Sequence, residues 1–130
     1  MILEKIVSFK REEVAKARQR VPEADLRAAA KEAPAALDFA SALKKSANPT
    51  AAAHVGGRPK SRIIAEIKRA SPSRGNIRRD LNPMELAQAY VRGGAAAISV
   101  LTESRFFLGS PDDVWAVRRN ATAPVLRKDF

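Results

Sequence analysis

Glu66 and Lys68 stand two residues apart in the run Arg62-Ile63-Ile64-Ala65-Glu66-Ile67-Lys68, and a second lysine, Lys128, stands in Val125-Leu126-Arg127-Lys128-Asp129-Phe130. Extended backbone alternates its side chains between two faces, so Ile64, Glu66 and Lys68 share one face, as do Leu126, Lys128 and Phe130. Two lysines and a glutamate aimed into one cavity can do specific chemistry. A lysine whose pKa is lowered by burial or by neighbouring cations serves as a general acid near neutral pH. A second lysine can hold a carboxylate or a phosphate, and a glutamate between them orients either one or keeps it charged. The same residues also have a purely structural reading, a strand-end salt bridge between Glu66 and Lys68 with Lys128 facing solvent.

The stretch Arg69-Ala70-Ser71-Pro72-Ser73-Arg74-Gly75 adds hydroxyls, backbone amides and guanidiniums suited to an anion. Its plain alternative is a solvated turn. Phe106-Phe107, ahead of Gly109, can wall an aromatic pocket or cover the core. His54 lies in a Gly/Pro loop without acidic neighbours and is not expected to be catalytic, and Trp115 is expected in the core of a helix face. There is no P-loop, no glycine-rich dinucleotide fingerprint and no metal-ligand spacing of His, Cys or carboxylates, so neither a cofactor nor a metal is expected.

The elements that must position these residues change character along the chain. Leu3, Ile6, Val7 and Val14 recur at helical spacing through residues 2–19, and Pro22 closes that segment. An Ala-rich helical stretch follows from about Glu23 to Lys45, interrupted at Pro34, with Asp38 placed to cap a restart before Phe39 and Leu43. Ser46 to Lys60 reads as a connector. From Ser61 onward, short β-branched runs alternate with capped helices. Asn82-Pro83 opens one helix, which Gly93-Gly94 ends, and Ser110-Pro111 opens another. The strands are Arg62–Lys68, Ala97–Thr102 and Val125–Phe130. The order β-α-β-α-β implies parallel strands joined by right-handed crossovers, hence an α/β fold whose ligand site lies at the strands' C-terminal ends.

Charge points the same way. The chain has 130 residues, no cysteine and a net charge of +10. Between Pro49 and Asp80 there are eight basic and two acidic side chains, so most of the excess surrounds the first strand and its loop. That asks for an anionic partner. The lack of cysteine excludes a disulfide framework and a thiol nucleophile and suits a cytoplasmic setting. No apolar run is long enough to cross a membrane, and the first residues lack the apolar core of a signal peptide.

Three ordered motifs then carry a resemblance: Ile64-Ala65-Glu66-Ile67-Lys68-Arg69-Ala70-Ser71-Pro72-Ser73, Ser99-Val100-Leu101-Thr102-Glu103 with Phe107-Leu108-Gly109-Ser110, and Pro124-Val125-Leu126-Arg127-Lys128-Asp129-Phe130. With the start ILEKIV…KREEV, they make the chain similar to the indole-3-glycerol phosphate synthase family, lyases of tryptophan biosynthesis built on a (β/α)8 TIM barrel. The resemblance implies decarboxylating ring closure of 1-(2-carboxyphenylamino)-1-deoxyribulose 5-phosphate. By it, Lys128 matches the general acid, Lys68 the lysine that binds the anionic substrate, and Glu66 the glutamate beside it. Ser71 matches a substrate-pocket residue, and Phe107 and Phe130 match aromatic positions on the anthranilate side.

The match covers the chain but only the first half of the family's length. Residues 1–60 are expected to form an N-terminal helical extension and connector, and residues 61–130 the first two and a half βα units of a TIM barrel, truncated after the third strand. A whole barrel takes ~250 residues. The family's general base and most of its phosphate-binding loops belong to later strands, so the chain alone is expected to be inactive. Its open sheet is expected to self-associate, to stay partly molten, or to need the missing half of the barrel. The expected partner is a small anionic sugar phosphate, with no nucleic acid and no membrane. The alternative is a basic nucleic-acid-binding module using residues 58–79, but residues 55–79 contain no aromatic side chain to stack a base. A phosphoribosyl isomerase barrel is disfavoured by the KRASPS and LRKDF pair.

Overall fold

Prolines divide the N-terminal region as their chemistry requires. Helix α1 (Ile2–Arg20) ends where Val21 turns extended, and Pro22 caps α2 (Glu23–Glu32). Both helices carry acidic residues in the first turn and basic residues in the last, in the sense that favours the helix dipole. The computed structural model describes residues 1–44 and 61–129. The expected connector from Ser46 to Lys60, His54 within it, and Phe130 lie outside the described residues. The chain divides into two compact units, Met1–Ala36 and Leu37–Phe130.

Within the first unit, Val14, Ala17, Val21, Leu26 and Ala30 line a groove of about 780 Å³. Residues 33–38 are not helical, so the Ala-rich stretch is broken over a longer span than Pro34 alone demands.

The second unit opens with α3 (Phe39–Lys44). Asp38 does restart the helix, since its Oδ1 accepts the Ser41 amide at 2.9 Å. Next come β1 (Ile64–Ile67), a small antiparallel hairpin of β2 (Ala70–Ser71) and β3 (Gly75–Asn76), α4 (Pro83–Arg92), β4 (Ala97–Leu101), α5 (Pro111–Asn120) and β5 (Val125–Lys128). β1, β4 and β5 form a parallel sheet in the order β1-β4-β5. The two caps read in the sequence hold. Asn82 accepts the Met84 amide at 3.0 Å, and Ser110 accepts the Asp112 amide at 3.2 Å while its own amide donates to the Asp113 carboxylate at 3.1 Å.

Register decides which residues meet. Glu66 lies opposite Ser99 and Ser99 opposite Leu126, while Leu101 lies opposite Lys128. One sheet face therefore carries Ile64, Glu66, Ser99, Leu101, Leu126 and Lys128. The other face supplies Ile67, Ile98 and Val100 to a core closed by Leu81, Ala87, Val117, Ala121 and Ala123, with Leu86, Tyr90, Val91 and Val114 packed around it. Each fully buried Ile or Val contributes roughly 1.5–3 kcal/mol.

One expectation is corrected here. Trp115 is 63% exposed and does not join the core. The inward stripe of α5 runs through Val114, Val117 and Ala121, which leaves Trp115 to one side, where the Arg119 guanidinium lies 5.9 Å from its ring centre. The Ser-Pro-Ser-Arg-Gly segment forms the turn of the β2–β3 hairpin, with Gly75 at φ 64 in the left-handed region that suits glycine.

Candidate functional site

The carboxylate of Glu66 is the centre of a three-strand arrangement. Its Oε1 lies 2.9 Å from Lys68 Nζ and its Oε2 lies 2.9 Å from Lys128 Nζ, so one acid joins a lysine just after β1 to a lysine at the end of β5. From the central strand, the Ser99 hydroxyl donates to the same Oε2 at 3.4 Å. Burial works against the ionised form of Glu66. The hydrogen bonds and positive charges of Lys68 and Lys128 outweigh it and hold the carboxyl below its ordinary range. All of this sits at the C-terminal ends of parallel strands, the position that the sequence periodicity pointed to.

The face is open along its outer strands, while Ser99 and Leu101 on the central strand are buried. Ile64 and Leu126 are 43% and 44% exposed, so the three ionisable groups meet on a partly exposed surface instead of in a closed cavity. A half-buried and an exposed lysine bridged by one carboxylate can bind an anion and deliver a proton to it. The Glu66 bridge also fixes the spacing of the two ammonium groups before any anion arrives.

Ser71 and Phe107 lie in the neighbouring loops, and the backbone ties those loops together. The Ala70 amide donates to the Phe107 carbonyl at 3.2 Å. The Ser71 hydroxyl serves its own hairpin, accepting the Arg74 amide at 3.2 Å with Ser73 Oγ 3.4 Å away. Arg69, read in the sequence as one of several anion-binding groups, is turned elsewhere. Its guanidinium makes two hydrogen bonds to the Asp113 carboxylate and a weaker one to the Leu108 carbonyl at 3.4 Å. The bonds to Asp113 raise the Arg69 pKa against the opposing effect of burial. Asp113 thus has two tasks, since it also closes the first turn of α5.

Sequence reasoning passed over Glu103 as a separate element of the site. It is completely buried, and its carboxylate accepts the amides of Arg105 at 2.8 Å, Phe106 at 2.6 Å and Phe107 at 3.1 Å. The available signal was an acid directly after an apolar strand and six residues before a glycine, a pattern open to many loop structures. Thr102 was also missed. It is buried, its amide donates to the Lys128 carbonyl at 2.7 Å, and its hydroxyl pairs with Asp129. Among the described residues, no cluster of His, Asp or Glu could hold a metal ion, and no helix is long and apolar enough to cross a membrane.

With this geometry in place, comparison with known proteins is decisive. The family model for indole-3-glycerol phosphate synthase matches residues 3–130. The chain belongs to this family. It is 48% identical over 129 residues to the indole-3-glycerol phosphate synthase of Desulfosudis oleivorans, covering 99% of the chain and 46% of that relative. It is 45% identical over 130 residues to the synthase of Carboxydothermus hydrogenoformans, covering 100% of the chain and 47% of the relative. With the synthase of Azoarcus sp. the identity is 46% over 129 residues, covering 99% and 46%. The chain spans a little under half the length of these synthases. The family membership expected from the KRASPS, SVLTE and LRKDF segments is therefore correct.

Proposed function

We propose that this chain carries the acid and anion-binding half of an indole-3-glycerol phosphate synthase active site. The reaction converts 1-(2-carboxyphenylamino)-1-deoxyribulose 5-phosphate to indole-3-glycerol phosphate. The aromatic carbon bearing the carboxylate attacks the ribulose carbonyl carbon, carbon dioxide leaves from that aromatic carbon, and water is lost as the ring gains its double bond. The observation that carries the reading is the Glu66 bridge, 2.9 Å to each of Lys68 and Lys128 at the ends of two parallel strands.

In this reading Lys128 protonates the carbonyl oxygen as the carbon–carbon bond forms, since an alkoxide developing there needs a proton. Lys68 holds the anionic substrate and assists the later loss of water. Glu66 holds both ammonium groups in place until the substrate's own negative charge replaces part of its role. By the family resemblance Ser71 takes a substrate-pocket role, and Phe107 and Phe130 match its aromatic positions. The parallel β1-β4-β5 sheet with its two helices supports the reading as the opening part of a TIM barrel.

The 130-residue chain by itself forms no product, because the family's later strands supply the base and most of the phosphate site. Support comes from its covering only 46–47% of the synthases from Desulfosudis oleivorans and Carboxydothermus hydrogenoformans. The test is a fluorescence assay for indole-3-glycerol phosphate. Product from a complete synthase beginning with these 130 residues, and none from the chain alone, supports the reading. Product from the chain alone refutes its inactivity, and none from the complete enzyme refutes the function. Nucleic-acid binding through residues 58–79 has only charge in its favour, and Arg69 within that stretch is engaged by Asp113.

A further inference from the structure

The loop from Glu103 to Gly109 is constrained more tightly than a connection needs. Glu103 satisfies three successive loop amides with one carboxylate. Gly109 passes so close to the end of β4 that a Cβ there would stand 2.1 Å from the Leu101 carbonyl oxygen, and its amide donates to the Glu103 carbonyl at 2.8 Å. Between them Leu108 holds φ 54, a left-handed conformation that β-carbon-bearing residues adopt only when their surroundings impose it. A buried carboxylate is costly to keep unless hydrogen-bonded, and here its partners are all backbone groups of this loop.

We propose that Glu103 is a positioning residue for the ring-closing reaction, acting through Phe107 and through the Phe107–Ala70 backbone bond. Glu103 is 0% exposed, so it touches no substrate. It fixes the Phe107 amide directly. The Phe107 carbonyl, one peptide group further, receives the Ala70 amide at 3.2 Å, and Ala70 precedes Ser71. The buried acid therefore sets the aromatic wall and the serine hairpin together, while Arg69, bonded to Asp113 and to the Leu108 carbonyl, ties the same two loops at a second point. The inference rests on the proposed function, and the consequence is selective. Loss of the template disturbs recognition of the aromatic end and leaves Lys68 and Lys128 in place.

The test uses Glu103→Gln, which preserves shape and one acceptor oxygen, in a complete synthase beginning with these residues. The expected result is a KM raised about tenfold with kcat changed less than about threefold. In a Phe107→Ala background the same substitution then adds clearly less than its own KM effect, the remainder passing through the Phe107 backbone to the hairpin, a non-additivity that general destabilisation would not produce. Arg105→Pro deletes one amide donor with the carboxylate untouched and is expected to shift KM in the same direction, which covers the case where Glu103→Gln fails to fold. An unchanged KM in both variants, or fully additive effects with Phe107→Ala, overturns the proposal. Amide hydrogen exchange at residues 105–107 reads the template without activity. Protection lost on Glu103→Gln supports it and protection retained overturns it, even where a wild-type enzyme without activity has refuted the function.

Discussion

Lys128 Nζ lies 2.9 Å from Glu66 Oε2, although 62 positions separate the two residues and the whole of β4 runs between their strands. Neither residue could find the other without the parallel register that sets Glu66 opposite Ser99 and Lys128 opposite Leu101. Two positive charges of similar reach would repel if left alone. The carboxylate between them turns that repulsion into a fixed spacing.

The same bridge makes stability depend on pH. Glu66 stays ionised in the folded chain to lower pH than its ordinary value of 4.5, so the unfolded chain takes up the proton first. The stabilisation is present above 4.5 and is lost as pH falls through the lower native value. Urea midpoints measured from about pH 6 down to about pH 3 are expected to fall more steeply for the wild type than for Glu66→Gln. The difference should shrink in high salt, because the bridge is partly exposed. Parallel pH profiles for the two proteins contradict this.

Arg69 and Asp113 are a different kind of pair, with side chains only 18% and 9% exposed. Removing one partner strands a charge in the protein, at a cost of about 3–5 kcal/mol. Arg69→Ala and Asp113→Ala are each expected to lower stability by that order. The double variant should lose clearly less than the sum, because its second substitution removes a charge already unpaired. Additive losses in denaturant titrations would mean that the two groups do not depend on each other.

Among the described residues β1 and β5 stand at the two edges of the sheet, and the face they share exposes Ile64 at 43% and Leu126 at 44%. Unpaired strand edges beside an apolar face invite pairing with another chain. Sedimentation of the isolated 130-residue chain is expected to show concentration-dependent self-association, reduced by Leu126→Lys. A monodisperse monomer with sharp cooperative unfolding runs against this expectation.

Much of this was legible before any coordinates. Asn82-Pro83 and Ser110-Pro111 mark their helix starts because capping is local chemistry, and the alternation through Glu66 and Lys68 assigns faces because a strand has period two. Trp115 was misjudged because an apolar side chain on a helix says nothing about which turn faces the sheet, and Val114 and Val117 take that place. Glu103 and the Arg69–Asp113 pair were not legible as parts of the site. Their partners are backbone amides two to four residues on in one case and a side chain 44 residues away in the other, and neither leaves a periodic trace.

The central claim is that Lys128 delivers the proton for ring closure, and replacing it tests this most directly. In a complete synthase beginning with these residues, Lys128→Ala is expected to lower kcat for indole-3-glycerol phosphate formation by about 10²–10⁴, the range for loss of a general acid. KM should change little and thermal unfolding should stay cooperative. A Lys128→Ala enzyme with kcat within about threefold of the wild type would contradict the assignment.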